Sequence, residues 1–204
     1  MRRQLLPALL MMLVFTVLLG LAYPLVVTGI AQSAFPTKAN GSLVHQNGTV
    51  VGSRLIGQSF TDARGRPLPQ YFQSRPSAAT GVNGTTKVGY DPTLSSGSNL
   101  GPTNPALAKL VAQRVRAYRA FNGLAPDQAV PIDAVTSSGS GLDPGISLGD
   151  ARLQAPRVAR ARGLPLTTVL GLVNRHENDR TLGFLGEPTV NVVSLNLALN
   201  SLRS

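Results

Sequence analysis

LLPALLMMLVFTVLLGLAYPLVVTGI, residues Leu5–Ile30, is the stretch that decides how the rest of the chain is read. No charged residue occurs between Arg3 and Lys38. As an α-helix rising about 1.5 Å per residue, the stretch is roughly 39 Å long, enough to cross a bilayer core of about 30 Å with some tilt. No second run of this kind follows. Arg2 and Arg3 precede it and only Lys38 stands close after it. The positive-inside bias then places the N-terminus in the cytoplasm and everything after the helix outside. The alternative is a cleaved signal peptide, with Ala31-Gln32-Ser33 as a small-x-small site. The apolar run exceeds the ~7–15 residues of a signal core, which favours an anchor. The expected organisation is an N-terminal transmembrane anchor over residues 1–33 and one extracytoplasmic domain over residues 34–204.

One face of the apolar helix is patterned. Thr16, Gly20 and Pro24 recur every four residues, and small groups at that spacing let another helix approach closely. Pro24 has no N–H to offer the Gly20 carbonyl, so a local disturbance is expected there. These three residues are candidates for docking other membrane helices.

Of the 204 residues, none is Cys or Trp, while Gly (21) and Pro (15) are plentiful. Disulfides and thiolate metal sites are excluded, and loops should be numerous. The formal net charge is +10. Nucleic acid is a poor inference on the outer side of a membrane, without aromatic residues interleaved among the basic ones. Lys and Arg are expected to face lipid headgroups or acidic partner surfaces.

Beyond the anchor, residues 31–48 read as a polar juncture and Thr49–Phe60 as a strand with a turn. Gln70–Gln73 reads as a short strand, and Ser74–Asn104 as a long Ser/Gly/Asn/Pro-rich loop. Asn104-Pro105 opens the clearest helix, with N-cap and first-turn proline. Its apolar stripe is Leu107, Leu110, Val111, Val115, Tyr118 and Phe121, and Gly123 closes it. Val130–Val135 reads as a strand. Ser147–Arg162 reads as a helix disturbed at Pro156, Pro165–Asn174 as another helix, Thr189–Val193 as a strand and Ser194–Leu202 as a closing helix. The fold class is therefore α+β, with a small sheet and several helices.

Catalytic patterns are not apparent. Gly81–Lys87 (GVNGTTK) has the wrong order for a phosphate loop. The two histidines, His45 and His176, are far apart, and His176-Glu177 does not form the zinc-protease pattern. Asp143, Glu177, Asp179 and Glu187 have no spacing that specifies acid–base work. Ser137, Ser138 and Ser140 lack a nucleophile-elbow context. Asn40, Asn47 and Asn83 open formal glycosylation sequons. Two stretches instead look like built turns: SSGSNLGPTNP (Ser95–Pro105) and TSSGSGLDP (Thr136–Pro144). Both are dense in side chains that bond backbone groups and in glycines that permit positive φ.

At these residues the chain resembles the KdpC family, the C subunits of the bacterial Kdp potassium-transporting ATPase. The likeness runs end to end: Tyr23-Pro24, LIGQSF (Leu55–Phe60), YFQSRPSAA (Tyr71–Ala79), SSGSNLGPTNP, VPIDAVTSSGSGLDP (Val130–Pro144), RVARARGL (Arg157–Leu164) and GFLGEPTVNVVSLNLAL (Gly183–Leu199). Two positions depart: Gly145 stands where the family commonly has His, and Thr189 where it commonly has Arg.

The resemblance implies a non-catalytic accessory subunit of a high-affinity, ATP-driven potassium uptake complex in the bacterial inner membrane, needed for assembly and coupling. Its implied partners are a potassium-channel-like subunit, a P-type ATPase subunit and a very small membrane subunit. ATP and potassium would be handled by those partners, with no cofactor, metal or catalytic residue in this chain. The family is described as a catalytic chaperone that raises the ATPase subunit's affinity for ATP. A loose likeness to the ABC-transporter signature loop attaches a nucleotide suggestion to Ser95, Ser96, Gly97 and Ser98. Besides the anchor face, Asn99, Ser140 and Asp143 are candidate docking residues. The competing classes are a membrane-anchored extracytoplasmic enzyme, which would need groups such as Ser140 or Glu187 in catalytic roles, and a secreted binding protein.

Overall fold

A computed structural model describes residues 2–83 and 86–202. The chain divides into two compact units, Met1–Val51 and Gly52–Ser204.

The first unit is dominated by the apolar helix. It runs as α1 (Arg2–Val17), a π-turn (Leu18–Ala22) and α2 (Tyr23–Ala34). The span Arg3–Ala34 is long and apolar enough to cross a membrane, and none of its most apolar window is buried within the protein. The disturbance expected at Pro24 takes the form of this π-turn. The Tyr23 N–H reaches back five residues to the Leu18 carbonyl, so the helix widens where proline removes the ordinary i→i−4 bond. A short α3 (Pro36–Ala39) follows, then a hairpin of β1 (Leu43–Gln46) and β2 (Thr49–Ser53).

The second unit is α+β. The hairpin of β3 (Thr80–Asn83) and β4 (Thr86–Gly89) pairs Thr80 with Gly89 and Asn83 with Thr86. It stands inside the segment expected to be a structureless loop. The missed signal is Gly84-Thr85 between two short runs containing Val82 and Val88, a Gly-first two-residue hairpin loop in the sequence. Gly84 and Thr85, at its tip and within the third sequon, lie outside the described residues. Next comes α4 (Pro105–Asn122). Its N-cap forms as expected: the Ala106 N–H donates to Asn104 Oδ1 at 2.9 Å, and Gly123 closes it in the left-handed region at φ 68°.

The remaining elements make the core. β5 (Gly145–Ser147) leads into α5 (Leu148–Arg162), α6 (Leu166–Arg175), β6 (Glu177–Asn178), β7 (Thr189–Asn191) and α7 (Val192–Ser201). The sheet order is β5-β7-β6, antiparallel throughout. Buried Ile146, Ala151, Ala155, Val158, Val169, Leu172, Val173, Val190, Val192, Leu195 and Leu199 pack the sheet and three helices together. Helix α5 runs through Pro156 without a break.

Two expected strands are absent. Ile132–Ala134 is a turn of 3₁₀-helix, because Asp133 is drawn to cap β5. Its carboxylate accepts from the Ser147 N–H at 2.6 Å and the Ser147 hydroxyl at 3.0 Å. Residues 70–73 are irregular, although Phe72 is fully buried. Their backbone groups bond helix side chains instead of a neighbouring strand.

Candidate functional site

The two serine–glycine stretches meet. The Ser96 N–H donates to the Ser140 carbonyl at 2.9 Å, and the Ser95 hydroxyl donates to the same oxygen at 3.3 Å. Ser77 Oγ donates to the Gly141 carbonyl at 2.7 Å. Gly141 holds φ 69°, and a Cβ there would stand 2.4 Å from the Ser96 carbonyl. Only glycine lets the strands of loop approach so closely. Within the second stretch, the Gly141 N–H donates to Ser138 Oγ at 2.9 Å and the Leu142 N–H to Ser140 Oγ at 3.1 Å. The result is one loop platform built from residues 45 positions apart in sequence.

A second set of bonds fastens the platform to the domain. Arg75 pairs with Asp143 at 3.0 Å, and Asp143 also accepts the Gly145 N–H at 2.9 Å. The Tyr90 hydroxyl donates to the Arg75 carbonyl at 2.8 Å. Burial raises the Tyr90 phenol to about 12, so it stays a donor at any physiological pH. The Gly57 N–H donates to the Leu142 carbonyl at 2.9 Å. A Cβ on Gly57 would collide with the Tyr90 ring and the Asp143 carbonyl. Beside this clamp lies a hydroxyl-rich cleft of about 230 Å³, lined by Ser59, Thr61, Ser74, Arg75 and Tyr90 among others.

Ser95, Ser96, Gly97, Ser140 and Asp143 are therefore brought together. Ser98 and Asn99 are exposed at the platform's edge, with Asn99 at φ 53°. Thr16, Gly20 and Pro24 are exposed along the apolar helix, and a Cβ added at Gly20 would meet nothing. Gly145 and Thr189, the two departures from the family pattern, are neighbours: a Cβ on Gly145 would stand 3.4 Å from the Thr189 Cβ. The positions that differ in sequence are thus one place on the β5–β7 pair. Ser137 lies half-buried in the second loop. Asp143 and Glu187 are each engaged by an arginine, Arg75 and Arg180.

In the loop 95–98 part of the hydrogen-bonding capacity is already engaged within the domain. Phosphate cradles draw on N–H groups that converge, commonly at a helix N-terminus. Here the Ser96 amide and the Ser95 hydroxyl are spent on Ser140, and the Ser96 hydroxyl on the Gly97 carbonyl. The next helix begins only at Pro105. Among the described residues, no group of three or more His, Asp or Glu could hold a metal ion.

A buried polar network escaped the sequence reading. Arg157 donates from Nε to Asn122 Oδ1 at 2.9 Å, from Nη1 to the Tyr71 carbonyl at 2.9 Å and from Nη2 to Gln154 Oε1 at 2.8 Å. Its guanidinium also lies 4.3 Å from the centre of the Phe121 ring. Arg162 donates to the Gln70 carbonyl at 2.6 Å and the Leu199 carbonyl at 3.1 Å. Asn196 holds both backbone groups of Phe72 at 2.9 Å, and Gln154 holds both of Gln73 at 2.7 and 3.0 Å.

Arg157 and Arg162 are thus inside the domain, not turned toward lipid or an acidic partner, whereas Arg160, between them on the same helix, is exposed. The irregular segment 69–73 leaves carbonyls that no strand can satisfy, and long donors from α5 reach them. Burial lowers Arg157 to about 10, still charged at neutral pH. Asp150 sits at the other end, accepting the Tyr118 hydroxyl at 2.6 Å and Gln154 Nε2 at 2.9 Å. Burial is the main cause of its rise to about 6, and it raises the Tyr118 phenol as well.

Comparison with known proteins is consistent along the whole chain. The family model described as "KdpC: K+-transporting ATPase, c chain" matches residues 5–201. The potassium-transporting ATPase KdpC subunit of Mycobacterium tuberculosis is 55% identical over 202 residues, covering 99% of this chain and 100% of that protein. The KdpC subunit of Sorangium cellulosum is 55% identical over 199 residues, 97% of each chain. That of Caulobacter vibrioides is 53% identical over 196 residues, 96% of this chain and 91% of that one. With its full-length match, its single apolar N-terminal helix and its α+β domain, the chain belongs to the KdpC family of potassium-transporting ATPase subunits.

Proposed function

We propose that this chain is the non-catalytic accessory subunit of an ATP-driven, high-affinity potassium uptake complex. It acts in assembly and coupling from the outer side of the cytoplasmic membrane. Its partners are a channel-like potassium-binding subunit, a P-type ATPase subunit and a small membrane subunit. The catalytic residues for ATP hydrolysis belong to the ATPase subunit. The observation that carries this reading is the family match over residues 5–201 on a chain whose apolar span Arg3–Ala34 has none of its most apolar window buried.

Orientation follows from Arg2 and Arg3 before the span, which favour a cytoplasmic N-terminus. The domain then stands on the face opposite ATP. It influences nucleotide affinity by coupling through the complex, not by touching nucleotide. The occupied hydrogen bonds of Ser95 and Ser96 support that reading. The docking elements are the Thr16/Gly20/Pro24 face within the membrane and the loop platform at Asn99, Ser140 and Asp143 outside it. Potassium is coordinated elsewhere, since a single spanning helix cannot enclose a ring of carbonyls.

Two measurements test this. Affinity purification through a tag on this chain should retain the channel-like and ATPase subunits; recovery of the chain alone would overturn the accessory role. A cysteine replacing Ser98 should react with an impermeant thiol reagent from outside intact cells. Labelling only from the cytoplasmic side would overturn the topology and reopen the nucleotide question.

A further inference from the structure

The turn joining β6 to β7 is closed by its own hydrogen bonds. Thr181 and Leu185 exchange backbone hydrogen bonds, both 2.9 Å, and the Gly183 N–H donates to the Arg180 carbonyl at 3.0 Å. Arg180 and Glu187 close its neck with an ion pair at 2.7 Å. Three residues adopt positive φ: Leu182 (57°), Gly183 (82°) and Gly186 (80°). The turn is therefore a closed, internally bonded structure. Yet it holds its large apolar side chains outward: Leu182 is 80% exposed, Phe184 68% and Leu185 50%. A leucine in the left-handed region is costly, and nothing within the domain compensates it by burial. A pre-formed turn that presents an exposed aromatic and two leucines suits an interaction anchor, because little ordering is left to be done on binding.

The charge around the turn indicates what it meets. Over residues 177–187, Glu177, Asp179 and Glu187 outnumber Arg180, in a chain whose net charge is +10; Arg54 and Arg175 share a cleft with Glu177, so the acidic character is carried by Asp179 and Glu187. Both glutamates of the protein lie here. A bilayer with anionic headgroups would repel such a neck, whereas polybasic segments are what such surfaces attract. We propose that the turn 180–187 is a plug that seats in an apolar socket rimmed by Lys or Arg on the outer face of a partner subunit. This rests on the accessory reading above and adds the contact through which the domain is held. Phe184 and Leu182 fill the socket, and the acidic neck meets its basic rim.

The test is photo-crosslinking in membranes containing the whole complex, with benzoylphenylalanine replacing Phe184. The expected product is an adduct with another subunit, weakened severalfold when Asp179→Lys and Glu187→Lys are added. Adducts with lipid only, or with a second copy of this chain only, would overturn the proposal. So would no adduct at position 184 when the same probe at Ser98 captures a partner, an outcome that leaves the accessory reading standing. If the unaltered chain retains no partner, the accessory reading falls and this contact with it. As a second measurement, Leu182→Asn with Phe184→Ser should leave the unfolding midpoint of the chain unchanged and reduce retained partner roughly tenfold. Asparagine tolerates the left-handed conformation, so the turn itself is preserved. Full retention by that variant would count against the plug.

Discussion

Residues 69–73 and residues 95–98 are both irregular, yet they are held by opposite means. The first segment is inside the domain, and side chains of three helix residues of α5 and one of α7 bond its backbone: Gln154, Arg157, Arg162 and Asn196. The second lies toward the surface and is held mostly by another loop's backbone, chiefly the Ser140 carbonyl. Buried peptide groups without a strand partner demand long, even charged, donors. Surface loops can share bonds with water, so a few well-placed ones suffice. The buried arginines are therefore structural, while the surface loops and turns are left free to meet partners.

The largest effect that would break this contrast is at Arg157. Arg157→Met should destabilise the domain by about 3 kcal/mol, because buried Asn122 and the carbonyls of Pro69 and Tyr71 lose a charged donor. Denaturant unfolding measures it, and a loss below 1 kcal/mol would mean that water enters the segment.

Next comes Asp150, in the same network. Its folded pKa of about 6 lies above the ordinary carboxylate value of 3.8. The folded state thus binds this proton more tightly than the unfolded state. The contribution to stability is fully present below about pH 4 and is lost as pH rises through about 6, on the order of 3 kcal/mol. Asp150→Asn keeps an oxygen for Tyr118 and Gln154 and should remove that slope. Thermal unfolding from pH 4 to 7 of the two chains compares them directly, and equal slopes would locate the titration elsewhere.

The smallest expected stability effect is in the platform. Gly141→Ala forces a Cβ toward the Ser96 carbonyl at positive φ and should cost about 1–2 kcal/mol. Its stronger consequence should be lost partner retention, since the loops 95–98 and 138–141 would separate. Destabilisation without any loss of retention would show that the platform is not part of the docking surface.

Much of the frame was legible in the sequence. The apolar span, the Asn104–Gly123 helix boundaries, the helix over Ser147–Arg162 and the closing helix all follow from local chemistry that acts within a few residues. Cap side chains, proline and glycine carry their meaning with them. The β3–β4 hairpin was legible too, in the Gly84-Thr85 pair between its strands, but was obscured by the surrounding polar composition. Among the candidate docking residues, the serines of both loops could be singled out by their turn chemistry, though not that they bond each other.

The inward roles of Arg157 and Arg162 could not be read in this way. At the C-terminal end of a helix, arginine is equally at home facing water, where it complements the dipole. What turns these two inward is a set of unsatisfied carbonyls more than 80 residues away in sequence. The same holds for the neighbouring positions Gly145 and Thr189, and for the outward leucines of the 180–187 turn. Sequence by itself determined the long apolar helix, the helix ends and the α+β class, because those depend on forces local along the chain. Only the tertiary structure decided which charges are buried and which apolar side chains are left outside, because both depend on which distant backbone groups need partners.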